Sequence, residues 1–163
     1  MSYKLSVFRF LILSVTILGG LHGIAITIPL FFREDSQGIV TYFLLTCMLA
    51  VYAYITVSAL FFWRHTNQSR PLWWALVVQI PRISLQGVVY RLAVGLNGAV
   101  ALVFSHTGDK YTTGYETKWS VGSSWEISVF RNAPVELGIN IVALGLLLLL
   151  YQIDHLENKP GAK

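Results

Sequence analysis

The sequence predicts an all-α membrane protein, a bundle of four transmembrane helices with a short outward-facing β-hairpin between helices 3 and 4. Three observations carry that expectation. Hydrophobic residues make up 55% of the 163 positions and charged residues only 12%, about half the charged share of an ordinary soluble domain. Mean hydropathy is +0.59. The apolar residues also gather in runs long enough to cross a bilayer core, which takes roughly 20 residues of helix. A chain of this length holds one unit, so residues 1–163 read as a single integral membrane domain.

The first span covers residues 9–30. Lys4 and Arg9 stand ahead of it, as in a signal peptide, but the apolar run is longer than an h-region and lacks an A-x-A-type cleavage site. It reads as an uncleaved helix. Thr16, Gly19, Gly20, Gly23 and Thr27 share one of its faces, with a G-x-x-x-G at Gly19 and Gly23 that lets a second helix approach closely. Pro29 and the polar loop 33–38 end it. The second span, 39–63, carries no charge, and Trp63, Arg64 and His65 mark its membrane interface. A polar linker leads to an interfacial segment at 71–80 with Trp73 and Trp74, and Pro81 predicts a kink.

The third span, 82–104, is the unusual one. Wound as a helix from Gln79, it puts Arg82, Gln86, Tyr90 and Asn97 within roughly ±60° of one line. Ser84, Gly87, Arg91, Gly95 and Gly98 fill the neighbouring sector, and branched apolar residues fill the rest. Such a helix faces lipid on one side and protein on the others, with Gly87, Gly95 and Gly98 as packing positions. Residues 105–132 form an outer loop. Its segments KWSV and WEISVF alternate like strands, which predicts a hairpin around Gly122 that carries Trp119 and Trp125. Pro134 opens a fourth span, 134–151, and a polar tail, 152–163, follows.

Basic residues set the orientation. Lys4, Arg9, Arg64 and Arg70 flank the spans on one side, which puts both termini in the cytoplasm of a plasma membrane, the inner membrane if the source is bacterial. The sequon at Asn67 then faces the cytoplasm and stays unused.

Chemistry is sparse. The net charge of +4 comes without a basic stripe interleaved with aromatics, so nucleic acid is not an expected partner. One cysteine, Cys47, rules out internal disulfides and CxxC redox chemistry. The histidines lack metal-ligand spacing, so neither a metal nor a cofactor is expected, and no catalytic signature is present. At about 1.5 Å of rise per residue, His22, Asn97, Glu136 and Asn140 converge on the outward half of the bundle, Glu136 and Asn140 being one turn apart. The cluster reads as a register clamp more than as a proton or ion site. Arg91 lies too deep to meet Glu136 on straight helices and is read as bonding carbonyls or snorkelling. The expected activity is binding or assembly, as an accessory subunit, an immunity-type protein or a sensor whose outer hairpin meets a membrane partner. The alternatives are a transporter or channel component that uses the polar cluster and, third, a small redox or lipid-modifying membrane enzyme.

Overall fold

The computed structural model describes residues 3–32, 38–65, 68–85, 88–107, 110–129 and 135–157. Two long helices open the chain, α1 (Tyr3–Thr27), extended by a 3-10 turn (Ile28–Phe32), and α2 (Ile39–Arg64). Their apolar stretches, Ser6–Phe32 and Ile39–Arg64, are long and apolar enough to cross a membrane. The two helices touch backbone to side chain. A Cβ on Gly20 would fall 2.1 Å from Thr56 Oγ1, and one on Gly23 would fall 2.2 Å from the Tyr52 ring. Thr16, Thr27 and Thr56 each donate to the carbonyl four residues back, which satisfies a hydroxyl inside an apolar bundle.

The short helix α3 (Arg70–Val77) has Pro71 in its first turn, where the missing N–H is harmless. It buries Leu72, Ala75 and Leu76 and leaves Trp73 and Trp74 outside. The last helix, α4 (Ile141–Glu157), closes the bundle, with Ser69 donating to Asp154 where α3 begins. One core joins these helices through Ile12, Tyr52, Ile55, Phe62, Leu76, Leu150 and Ile153, and Leu92 and Val94 enter it from the rest of the chain.

That remainder overturns the all-α expectation. Six strands, β1 (Pro81–Leu85), β2 (Val88–Ala93), β3 (Leu96–Thr107), β4 (Lys110–Val121), β5 (Ser124–Val129) and β6 (Val135–Asn140), form one antiparallel sheet in the order β4-β3-β6-β1-β2-β5. The expected third span is therefore β1, β2 and most of β3, and Pro81 opens a strand instead of kinking a helix. The expected fourth span splits into β6 and α4, so among the described residues only α1 and α2 have the length and apolarity of a crossing helix. The KWSV segment and residues 125–129 of WEISVF are strands, but they do not pair with each other. They belong to β4 and β5, the two opposite edges of the sheet, and Gly122 sits at a corner between them. Positions 33–37, Asn67, Gln86, Gly87, Asn132, Pro134 and the tail from 158 onward lie outside the described residues.

Candidate functional site

Directly opposed residues in an antiparallel pair share a face, so the register sorts the sheet into two sides. One row across all six strands reads Glu116, Ala101, Gly138, Arg82, Arg91, Glu126. The adjacent row, on the other side, reads Tyr115, Leu102, Leu137, Ile83, Tyr90, Ile127. Lys118 and Glu136 join the first side, through their partners Ala99 and Val103. The inner face is charged and small, and the outer face is apolar.

The sheet curls around its inner face. Residues 117–120 of one edge and 124–126 of the other wall a single cavity of about 550 Å³, with Arg82, Arg91 and Asn97 between them. A flat sheet of six strands would hold its edges about 24 Å apart. At Gly138 β6 comes close to β3: an added Cβ would lie 2.6 Å from Ala101 Cβ, roughly half the ordinary cross-strand spacing. The turn between β2 and β3 and the corner between β4 and β5 are both locked onto α1. Gly95 and Gly122 adopt positive φ there, and Gly122 N donates to Gly95 O at 2.6 Å. Ser123 N donates to His22 Nδ1 at 2.9 Å, and Ser123 Oγ donates to Gly19 O.

A buried ionic group lies beneath the cavity. Arg91 Nη1 donates to Glu126 Oε2 at 2.6 Å, Arg91 Nη2 donates to Glu136 Oε2, and Arg82 Nε stands 3.4 Å from Glu136 Oε1. Burial alone would lower the pKa of Arg91. The charges of Glu136 and Glu126 and the bonds they accept outweigh it and raise the pKa above its ordinary value. Arg91 is a fixed cation, and the pairing corrects the expectation that Glu136 is out of its reach. Lys118 pairs with Glu116 on the same strand at 2.9 Å.

The structure distributes the expected polar cluster among different partners. Asn97, Glu136 and Asn140 share the inner face, whereas His22 is on α1 and bonds to the corner. Asn97 Nδ2 donates to Ser120 Oγ at 3.3 Å, and its buried Oδ1 has no hydrogen-bond partner among the described residues. Asn140 Oδ1 accepts from Val142 N at 3.1 Å and Ala143 N at 3.3 Å, so it caps α4. It also accepts from Gly98 N at 3.4 Å. Of the packing glycines, Gly23 faces α2, but Gly19 faces a strand turn, since its Cβ would fall 2.3 Å from Gly95 N. Gly98 lies beneath the Trp119 ring. Trp119 is exposed at the sheet edge, and Trp125 packs against the helical core.

Sequence reasoning missed Arg82, Lys118, Ser120, Ser124 and Glu126 as a set. Polar–apolar alternation in SWEISV was the available signal for Glu126, whereas VVYRLA, with the single charge Arg91, shows no such alternation and sits as readily on a helical wheel. Among the described residues no group of three His, Cys, Asp or Glu is placed to hold a metal ion. Comparison of the chain with protein-family models, with curated proteins and with solved structures finds no match in any of the three.

Proposed function

We propose that this chain is a membrane protein that works by binding, with α1 and α2 held in the bilayer and the cavity between β4 and β5 taking a small, neutral, multiply hydroxylated ligand of the sugar class. The observation that carries the reading is the unpartnered Oδ1 of Asn97 beside a cavity whose charges are already matched. Arg82 and Arg91 face Glu136 and Glu126, and Lys118 faces Glu116. Three cations meet three carboxylates, so no net charge remains to draw an ion out of water, and the Nε groups of Arg82 and Arg91, which make no hydrogen bond among the described residues, add donors beside the Asn97 acceptor. Asn97, Thr117, Ser120 and Ser124 supply amide and hydroxyl donors and acceptors, and Trp119 and Trp125 supply apolar surface. The volume is in the range of small-molecule sites, about 300–1,000 Å³. Charge at the helix ends supports an orientation with the basic flanks Lys4, Arg9, Arg64 and Arg70 in the cytoplasm and the end of the sheet that carries Thr113 toward the outside. A sensor or accessory role fits this layout. The transport reading draws no support from the contacts of His22, which are with the corner.

The test is a titration of the full-length protein in lipid nanodiscs, followed by tryptophan fluorescence. Glucose, N-acetylglucosamine, inorganic phosphate and choline are the titrants. A saturable change with a sugar, lost in Asn97→Ala, is the expected result. A saturable response to phosphate or choline and none to sugars would overturn the reading.

A further inference from the structure

The outer face of the sheet is as apolar as a membrane helix. Leu102, Tyr115 and Leu137, in one row, are 56%, 82% and 49% exposed, and Leu85, Val88, Val100, Phe104 and Ile139 extend the surface. Arg82, Arg91, Glu116, Lys118, Glu126 and Glu136 all fall on the opposite face. A soluble sheet turns its apolar side inward, so this one is inverted, with the alternation of a membrane β-barrel. An apolar groove of about 470 Å³ runs across the outer face between Pro81, Ile83, Val100, Leu102, Leu137 and Ile139.

A second observation fixes the surroundings of this face. Gly19, on which the Gly95 turn docks, lies at the midpoint of the apolar stretch Ser6–Phe32, about 20 Å from either end. If α1 crosses the bilayer, those turns stand in the hydrocarbon layer, where an unpaired backbone group costs several kcal/mol. Four of their backbone N–H groups are satisfied within the protein. Gly122 N, Ser123 N and Gly95 N find Gly95 O, His22 Nδ1 and Ser123 Oγ, and Leu96 N finds Val94 O. Of the two sheet edges, which do lack neighbouring strands, residues 117–120 and 124–126 wall the polar cavity. On that edge strand Trp119 lines the cavity and Tyr115 lines the groove of the outer face.

We infer that the outer face of the sheet lies against the acyl chains of the bilayer that holds α1 and α2, so the sheet is a half-barrel with lipid outside and water within. This rests on the membrane reading above, and the experiment separates the two. In a Cys47→Ser background, single cysteines at Leu102, Leu137, Ser124 and Val57 carry an environment-sensitive fluorophore. The full-length protein is reconstituted in phosphatidylcholine vesicles with or without brominated acyl chains. The Leu102 and Leu137 labels should lose emission to bromine as fully as the label at Val57, on the exposed side of α2, while the Ser124 label in the cavity keeps its emission. Tyr115→Cys replaces either sheet variant that fails to fold. Quenching at Val57 without quenching at the sheet positions overturns this inference alone. No quenching at Val57 removes the membrane reading and this inference with it. Self-quenching at Leu102 that unlabelled protein relieves would show a second copy on the face and also overturn it.

Discussion

Arg91 and Glu136 meet on the inner face of the sheet although 45 residues separate them in the chain. The pair exists because β1 lies between β2 and β6, opposing Arg82 to Arg91 and Ser84 to Glu136. Glu136, with its side chain only 3% exposed, is shared by two guanidinium groups, whereas Glu126 is 33% exposed and lies at the edge.

That asymmetry gives the first prediction. Glu136→Gln leaves Arg82 and Arg91 short of a buried charge and should destabilise by about 3–5 kcal/mol. Glu126→Gln removes a partly solvated partner and should cost about 1 kcal/mol or less. Denaturant unfolding in mild detergent checks the order, and equal losses would mean the shared carboxylate is misplaced.

Glycine substitutions should rank by what a methyl group would hit. Gly19→Ala drives a Cβ into the Gly95 backbone, which cannot yield without undocking the turn, so a loss of about 1–3 kcal/mol is expected. Gly98→Ala first meets the exposed ring of Trp119, which can swing away, and should be mild. Gly145→Ala meets nothing within 4 Å and should stabilise α4 by up to about 1 kcal/mol. Melting curves of the three variants decide.

Asn140 gives a local prediction. Its Oδ1 caps α4 at the junction with β6, so Asn140→Ala should lose about 0.5–2 kcal/mol. Asn140→Asp, which keeps the acceptor, should retain most of the cap. If both variants unfold alike in denaturant, capping is not the role of this side chain.

The helices α1, α2 and α3 were legible because long uncharged runs and a Trp-Arg boundary have few other readings. The segment 81–104 was not. Small or polar residues at Arg82, Ser84, Arg91, Asn97 and Ala99 follow period two within each strand. With turns interposed, however, Arg82 and Asn97 also share one sector of a helical wheel, and Ser84 and Arg91 share the next. Glu136 and Asn140 are four apart, a spacing that shares a face in both a strand and a helix, so it could not discriminate. An inverted sheet also removes the usual cue, because apolar residues of a strand are expected inward. Pairing between β1 and β6, which creates the Arg82–Glu136–Arg91 group, is a long-range event that no local pattern announces. The inner-face placement of Asn97 and Glu136 was within reach, but their partners were not.

Orientation has its own test. Thr113 lies on β4 and His155 near the end of α4, beside the basic flanks. In a Cys47→Ser background, a cysteine at Thr113 should react with an impermeant maleimide in intact cells. One at His155 should react only after permeabilisation. Equal labelling at both positions would contradict the proposed topology.

The claim on which the rest depends is that the edges β4 and β5 curl toward each other to wall one cavity. Spin labels at Lys118→Cys and Glu126→Cys, again in the Cys47→Ser background, measure that separation directly by pulsed dipolar spectroscopy. A curled sheet predicts one narrow population well short of the roughly 24 Å that five strand spacings would impose. Only Gly122 and Ser123 join the two strands, too few to span that distance, so a distribution centred there or beyond would show that β4 or β5 has left the sheet, with no cavity between them.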